Sequence, residues 1–208
     1  EELLQTRWSD LKVHVTSVSE QWAGIAVAGP CSRTVLEACV EDPARVSNDN
    51  FPFMGVIETV LKDKIPCRIA RISFSGELAY EVYTPSDYGP AAMDLLWGVS
   101  EPMEGCLYGL EALGAMRIEK GHVTGAELDG RVTIEDAGLG RMASSKKSYI
   151  GSALRKRPEL IREDRPRLVG IFPRDRHETF NSGAILCDAD AVQGFGDGWI
   201  SGVTHSPE

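Results

Sequence analysis

The chain has few residues of the types that bind metals or form cross-links. Its 208 residues include only four histidines and five cysteines, with no Cys-x-x-Cys and no His-x-x-x-His spacing. Zinc sites and disulfide frameworks depend on such paired residues. We therefore expect no metal site, and any catalysis should rest on neither a metal nor a nucleophilic triad.

Three longer patterns are also absent. No Gly-x-Gly-x-x-Gly run follows a strand pattern, which argues against a dinucleotide loop within these residues. No apolar run approaches the roughly 18 residues of a membrane span, and no signal-peptide pattern opens the chain. The net charge is −9, and the densest basic runs are only Lys146-Lys147 and the three residues 155–157. We expect a cytoplasmic protein with neither nucleic acid nor membrane as a partner.

The stretch from Arg71 to Pro85 carries the most informative local pattern. Apolar and polar residues nearly alternate from Cys67 to Phe74, and aromatic and β-branched residues resume after a Ser-Gly-Glu turn at 75–77. This arrangement predicts two strands joined by a hairpin or sharp bend. Glu81 falls inside the second strand, where glutamate is uncommon, so its side chain faces either water or a ligand.

The rest of the chain predicts a mixture of short strands and helices. In the first half we expect strands at 11–18 and 22–28, a helix capped by Ser32 and running to Val40, and a helix over 86–99 capped by Ser86. Between the two helices we expect a loop over 42–55 with a short helix at 48–53. Phe51, Phe53 and Met54 are expected to be core residues. In the second half we expect a helix over 110–120 closed by Gly121, strands at 168–172, 183–187 and 199–204, and turns at 181–183 and 194–198.

The Arg71–Pro85 stretch resembles a signature of the aminomethyltransferase family, the folate-binding T-protein of glycine cleavage and its relatives. In that family a Gly-Tyr-Thr-Gly-Glu-Asp-Gly-Phe-Glu run forms part of the tetrahydrofolate pocket, and residues 73–81 fit it. The resemblance implies that Glu81 hydrogen-bonds the pterin ring and that Phe74 occupies the site of the pocket tyrosine. The wording Phe-Ser-Gly-Glu-Leu-Ala-Tyr-Glu is similar to one branch of the family, the α subunits of heterotetrameric sarcosine oxidase.

Further motifs follow in the order that the family shows. The helix pattern at 109–122 resembles Gly-Leu-x-Ala-Arg-Asp-x-x-Arg-Leu-Glu-Ala-Gly, so Arg117 matches the second arginine, and His122 stands where an aromatic residue that can face the pocket is common. Leu113 replaces the first arginine, so either another group binds that part of the folate or binding is weaker. Residues 132–142, 146–151 and 198–207 resemble later motifs of the family.

The resemblance implies an α+β fold in which an aminomethyltransferase-type folate-binding domain precedes a truncated C-terminal β-barrel. We expect the folate domain at 1–150, without its N-terminal part, and the start of the barrel at 151–208. An aspartate of the family that contacts the pterin lies in the part we expect to be missing. The 208 residues alone are therefore expected to be inactive.

Three functions are compatible with these motifs. The first is the tetrahydrofolate-binding part of a sarcosine oxidase α subunit, which would pass a one-carbon unit from oxidised sarcosine to tetrahydrofolate, with FAD, FMN and NAD elsewhere in the whole enzyme and other subunits as partners. The second is an aminomethyltransferase of glycine cleavage, in which an arginine at 113 and a tyrosine at 74 would be expected. The third is a domain that serves only subunit contacts.

Overall fold

The computed structural model describes residues 1–175, 177–188 and 196–206. The chain divides into two compact units, Glu1–Leu107 and Tyr108–Glu208. Helices and strands are mixed along the chain, in agreement with the expected α+β class. The expected domain boundary at 150 refers to domains of the family and stays a prediction, as does the C-terminal barrel.

The first unit is built on one four-stranded antiparallel sheet. The strands lie in the order β1-β4-β3-β2, with β1 and β2 at the two edges. Because β1 and β2 are consecutive strands, the chain must cross the whole sheet between them. The strands are β1 (Trp22–Ala28), β2 (Val56–Leu61), β3 (Ile65–Ala70) and β4 (Ala79–Pro85).

Two helices cover one face of this sheet. Helix α1 is short and exposed, whereas α2 and α3 contact each other and strand β4. Their bounds are α1 (Glu2–Thr6), α2 (Ser32–Cys39) and α3 (Gly89–Ser100), and short 3-10 turns lie at Ser19–Gln21, Pro43–Val46, Lys62–Lys64, Ser86–Tyr88 and Glu101–Met103.

Strand alternation separates the two faces of the sheet. Along β4, Tyr80, Val82 and Thr84 are fully buried under the helices, and the residues between them point to the opposite face. The same period recurs in β3, where Ile69 pairs in register with Val82. Burying apolar side chains at about 25 cal/mol per Å² holds α2 and α3 on the sheet. Glu81 therefore lies on the face of the sheet opposite α2 and α3.

Several predictions for the first unit are confirmed. The strand over 22–28 forms as expected, and β3 and β4 form the expected antiparallel hairpin. The predicted apolar face of α2 is buried throughout, with Leu36 and Cys39 fully inaccessible. Phe51 is a buried core residue, as predicted.

Other predictions for the first unit are wrong. Residues 11–18 form no strand, because their alternating Leu and Val side chains find no partner strand among the described residues and stay exposed. Strand β3 ends at Ala70, so Ile72 and Phe74 belong to the connecting loop. No helix forms at 48–53, and the side chains of Phe53 and Met54 are exposed.

Neither serine predicted as a helix cap performs that role. The Ser32 hydroxyl lies inside the first turn of α2 and donates to the Leu78 carbonyl, 2.9 Å away, which ties the helix to the loop before β4. Ser86 opens a 3-10 turn, and α3 begins three residues later. Strand β2 was missed entirely, since its turn to β3 passes through Asp63 and Lys64 at φ near +60° without an Asn-Gly or Asp-Gly signal.

The second unit has little regular structure. Helix α4 (Leu110–Lys120) ends at Gly121, whose φ of 74° places it in the left-handed region, as predicted for a closing glycine. Two short strands, β5 (Ile185–Leu186) and β6 (Gly198–Trp199), pair antiparallel, and 3-10 turns lie at Gly140–Met142, Leu154–Lys156 and Pro158–Leu160.

The strands expected near the C-terminus form only in part. Residues 168–172 are not a strand, and the Phe172 side chain is 93% exposed, because the segment has no neighbouring strand among the described residues. Strands β5 and β6 occupy small parts of the two later predictions. The predicted turn at 194–198 lies partly outside the described residues, as does the end of the 198–207 motif.

Candidate functional site

Glu81 lies near the centre of the face of the sheet opposite α2 and α3. Its strand β4 is an inner strand, paired with Ala26 of β1 on one side and Ala70 of β3 on the other. Both neighbours are small, and the Glu81 side chain is half-buried. The Glu81 carboxylate therefore lies on an accessible surface of the sheet, where it can contact water or a ligand.

Tyr83 is the immediate partner of Glu81. The two side chains are two residues apart on one strand and share a face, and the Tyr83 hydroxyl donates a short hydrogen bond to Oε2 of Glu81. Among the described residues the second oxygen, Oε1, has no hydrogen-bond partner. The carboxylate is thus oriented by one donor and keeps capacity to accept further hydrogen bonds.

The pair shifts the titration of the tyrosine. The hydrogen bond to Glu81 raises the pKa of Tyr83 to about 12, with burial and the nearby negative charge adding to the effect. The phenol therefore stays protonated well above neutral pH and keeps its hydrogen bond to Glu81. The sequence pattern Glu-x-Tyr inside a predicted strand was sufficient to suggest this pair, but it was not singled out.

The Tyr83 ring lies close to the backbone of the edge strand. A side chain at Gly24, which is opposite Tyr83 in register, would approach the ring to 3.2 Å. Glycine at this position therefore leaves space for the ring. On strand β3, Arg68 is opposite Tyr83 in register. Its guanidinium pairs with Glu58 at 2.8 Å and lies 5.2 Å from the ring centre of Trp22.

The loop between β3 and β4 adjoins this face in sequence. Gly76 adopts φ +107°, and its amide donates to the Ser73 hydroxyl at 2.8 Å, which closes the predicted turn. Ser75 is buried and its hydroxyl donates to the exposed Glu77 carboxylate. Glu77 is therefore on the surface, and the Phe74 side chain is 36% exposed.

Arg117 has a buried partner within the second unit. Its guanidinium lies 3.1 Å from Oε2 of Glu127, and the two side chains are 14% and 6% exposed. The same oxygen accepts hydrogen bonds from the amide and the hydroxyl of Thr124, at 2.7 and 3.0 Å. A side chain at Gly202 would stand 3.0 Å from the guanidinium, so the pair is tightly enclosed.

Glu127 is ionised in this setting despite its burial. Burial raises its pKa, but hydrogen bonds from Thr124, Ser201 and Arg117 together outweigh that effect and lower the pKa below its ordinary value. The sequence did not single out Glu127. A buried carboxylate ten residues after an arginine gives no periodic signal.

His122 is held by its backbone against the end of α4. Its amide donates to the Arg117 carbonyl at 2.8 Å, and its own carbonyl accepts from the Arg117 guanidinium at 3.4 Å. The imidazole is half-buried. The Arg117 guanidinium thus pairs with Glu127 and also holds the backbone at His122 in place.

The four predicted site residues fall in both units. Phe74 and Glu81 belong to the first, whereas Arg117 and His122 belong to the second, in which Leu113 is half-buried on α4. In the described part of the chain, no three His, Cys, Asp or Glu side chains are grouped so as to hold a metal ion. Within the same part, no helix has the length and apolar character needed to cross a membrane.

Comparison with known proteins assigns the family. The GCVT N-terminal domain model matches residues 2–147, and the chain belongs to that family. The chain is 40% identical to the sarcosine oxidase subunit alpha of Corynebacterium sp. (strain U-96), over 100% of this chain and 22% of the relative. It is 37% identical to the Rhizobium meliloti (strain 1021) counterpart, over 98% of this chain and 21% of the relative.

More distant matches include aminomethyltransferases. The Halothermothrix orenii enzyme is 30% identical over 69% of this chain and 39% of its own length. The chain spans about a fifth of the length of the sarcosine oxidase subunits that it matches. The family suggested by residues 73–81 and 109–122 is therefore confirmed.

Proposed function

We propose that this chain is the tetrahydrofolate-binding part of a sarcosine oxidase α subunit. In the whole enzyme it would transfer the one-carbon unit of oxidised sarcosine to tetrahydrofolate and give 5,10-methylenetetrahydrofolate. The observation that carries the proposal is the half-buried Glu81 carboxylate, oriented by Tyr83 on the face of the sheet opposite α2 and α3, within a segment that resembles the family's folate motif.

The geometry of Glu81 fits a pterin. The edge of the pterin ring presents neighbouring N–H donors, and a carboxylate is the side chain that accepts two such bonds side by side. Tyr83 uses only part of the capacity of Oε2, and Oε1 has no hydrogen-bond partner in the part of the chain that the structure describes. The small residues Ala26 and Ala70 on the flanking strands leave room for a flat ring beside it.

The chemistry needs positioning more than strong acid catalysis. An imine CH₂=NH⁺–CH₂–COO⁻ from sarcosine reacts with the two N–H groups of tetrahydrofolate, whose nitrogens take the CH₂ group while both protons leave with glycine. Holding the reactants together provides a large part of the rate gain in such a step. In this chain Glu81 would anchor the folate, and Tyr83 would keep the Glu81 carboxylate in one orientation.

We also propose folate-binding roles for Phe74 in the first unit and for Arg117 and His122 in the second. Phe74 would supply an aromatic surface for the pterin, and His122 would face the folate. Because the Arg117 guanidinium is engaged with Glu127 and the His122 carbonyl, we propose that it also acts by positioning His122. FAD, FMN and NAD would be bound elsewhere in the whole enzyme, and other sarcosine oxidase subunits would be its partners in the cytoplasm.

The two alternative functions receive less support. Identity to the sarcosine oxidase subunits is 37–40% across almost the whole chain, against 30% over part of it for an aminomethyltransferase. Leu113 and Phe74 also replace the arginine and tyrosine expected of a glycine-cleavage enzyme. A domain used only for subunit contacts would have no need of an oriented, accessible Glu81.

The test is calorimetric titration of the full-length protein with folinic acid, a stable tetrahydrofolate derivative. Replacing Glu81 by glutamine removes the charge and exchanges one acceptor for a donor. A charge-assisted hydrogen bond contributes about 1.5–3 kcal/mol, which corresponds to about 10- to 150-fold weaker binding. We expect E81Q to weaken binding by that amount.

Glu77→Gln is the matched control. It makes the same chemical change four residues earlier, at an exposed turn position. We expect its affinity to stay within about twofold of the wild type, since an exposed charge contributes little. Equal losses of affinity in the two variants would contradict the assignment of Glu81 to the folate pocket. Absence of binding heat for the wild type at saturating folinic acid would overturn the proposed function.

A further inference from the structure

The segment 135–167 has a charge opposite to that of the chain as a whole. It contains nine lysines and arginines and five acidic residues, whereas the remaining residues contain 13 basic and 26 acidic ones. A net charge near +4 is thus concentrated in 33 residues of an acidic protein. In sequence the excess is inconspicuous, because the basic residues are dispersed.

Folding gathers these residues around one cleft of the second unit. The cleft has a volume of about 1090 Å³, comparable to the upper end of small-molecule sites. Eight basic side chains line it, along with hydroxyls from Ser144, Ser145, Ser148 and Ser152. Among the described residues, two carboxylates, those of Glu135 and Asp136, are part of its wall.

Both of those carboxylates are already neutralised. Arg165 donates to Asp136 through Nε at 3.1 Å and through a second, shorter hydrogen bond, and Asp136 also accepts from the Thr133 amide at 2.8 Å. Arg155 makes a short ion pair with Glu135. These half-buried arginines form fixed parts of the wall, and their carboxylate partners cannot balance further positive charge.

The remaining cations of the cleft have little compensation. Arg162 pairs with Glu159 and Asp164, neither of which lines the cleft. Within the described residues, five further cations have no carboxylate within ion-pair distance, and all five are exposed to solvent. These five, hereafter the unpaired cations, are Arg141, Lys146, Lys147, Lys156 and Arg167.

We propose that this cleft binds a small multivalent anion, a molecule with at least two closely spaced carboxylate or phosphate groups. Several like charges that converge on one concavity repel each other, and an anion with several charges relieves that repulsion at more than one cation at once. Arginine suits bidentate contact with either group, and lysine and serine add single donors. Monovalent anions engage too few of the unpaired cations to bind well.

The experiment compares two probes on the full-length protein by calorimetry at low ionic strength. Tricarballylate carries three carboxylates and tripolyphosphate carries linked phosphates, and acetate serves as the monovalent reference. The cleft variant is R141Q/K146Q/K147Q. The matched control is R45Q/K12Q/K62Q, which removes the same charge from exposed positions of the first unit.

We expect at least one probe to bind in the wild type and in the control, and to bind at least about tenfold more weakly in the cleft variant, since each lost contact is charge-assisted. Tighter binding of tricarballylate would assign a polycarboxylate ligand, and tighter binding of tripolyphosphate a polyphosphate one. Equal loss of affinity in the two triple variants would show that the effect comes from overall charge, and it would overturn the proposal. Absence of probe binding to the wild type, or an acetate affinity equal to that of the probes, would also overturn it. Circular dichroism confirms that both variants are folded.

Discussion

The two units of the chain are stabilised by different interactions. The first has a continuous core of buried apolar side chains, contributed by α2, α3 and the inner face of the sheet. In the described part of the second, only Ala137 and Ile200 are buried apolar residues, and two buried carboxylates, Glu127 and Asp136, each pair with an arginine. One unit depends on the hydrophobic effect, and the other depends heavily on ionic hydrogen bonds.

This difference has a consequence for how each unit responds to change. Apolar burial is insensitive to pH, and its loss scales with the volume removed. A buried ion pair is a weak source of stability as a pair, but it is costly to break, because the remaining charge is left without compensation. The second unit should therefore be sensitive to substitutions that the first would tolerate.

The largest effect is expected for Arg117→Met. This change leaves Glu127 buried beside Thr124 without its cation, and breaking a buried pair in this way costs about 3–5 kcal/mol. Hydrogen exchange should show loss of protection in residues 108–206 with the sheet of the first unit unaffected. The double variant R117M/E127M should recover much of the loss. A single variant as protected as the wild type would contradict the proposed dependence on ion pairs.

A cavity in the first unit should give a comparable or slightly smaller effect. Ile69 is fully buried beneath the helices, so Ile69→Ala should lower the free energy of unfolding of that unit by about 2–5 kcal/mol. Val56→Ala is the matched control on the same sheet, because the Val56 side chain is 59% exposed and its loss should cost less than about 0.5 kcal/mol. Urea unfolding would measure both. Equal costs would contradict the assignment of the inner face.

Acid should destabilise the second unit before the first, without any substitution. Hydrogen bonding to Arg165 lowers the pKa of Asp136 below its ordinary value of 3.8, and the pKa of Glu127 is also below its ordinary value of 4.5. A carboxyl whose pKa is lowered by folding contributes stability that is fully present above its ordinary pKa and is lost as pH falls through the folded value. The second unit should thus lose protection below about pH 4.

Hydrogen exchange at pH 5, 4 and 3 would follow this loss residue by residue. Protection of residues 108–206 should fall over this range before that of strands β3 and β4. Simultaneous loss in both units would show that the carboxylates of the second unit do not determine its acid stability. A second unit that stays protected at pH 3 would have the same meaning.

Sequence reasoning succeeded where local pattern and tertiary packing agree. Strand β1 and helix α4 appear at the predicted residues, because a Gly-Pro break and a closing glycine fix their ends. Residues 11–18 show the opposite situation, since alternation without a partner strand is not enough to form a strand. The residue types that favour a strand are present, but the part of the chain that the structure describes offers no neighbouring strand.

The candidate site was predictable only in part. The family motif identified Glu81, and the alternation of its strand placed it on the face opposite the core. Tyr83 was within reach of the same argument, because a tyrosine two residues away shares that face. Glu127 was not, since its pairing with Arg117 depends on a loop whose path has no periodic pattern. Dispersed cations such as Arg141 likewise gather only on folding.

The smallest expected effect is a gain in stability, and it concerns a buried tyrosine in the core of the first unit. The Tyr80 side chain is fully buried, and its hydroxyl has no hydrogen-bond partner within the described residues. Burial accordingly raises the pKa of Tyr80. The ring itself is well placed, 5.8 Å from the Phe51 ring and beneath the Arg33 guanidinium.

Tyr80→Phe should therefore remove a cost while keeping the ring contacts. An unsatisfied buried polar group costs about 1–3 kcal/mol, and some of that gain is offset by the space the oxygen leaves, so we expect unfolding to require about 1 kcal/mol more. Tyr88→Phe, at a side chain 42% exposed, is the control and should change nothing measurable. Urea unfolding of the three proteins would decide the matter. A Tyr80→Phe variant less stable than the wild type would show that the hydroxyl is satisfied after all, and that the core of the first unit, like that of the second, contains a polar contact that matters.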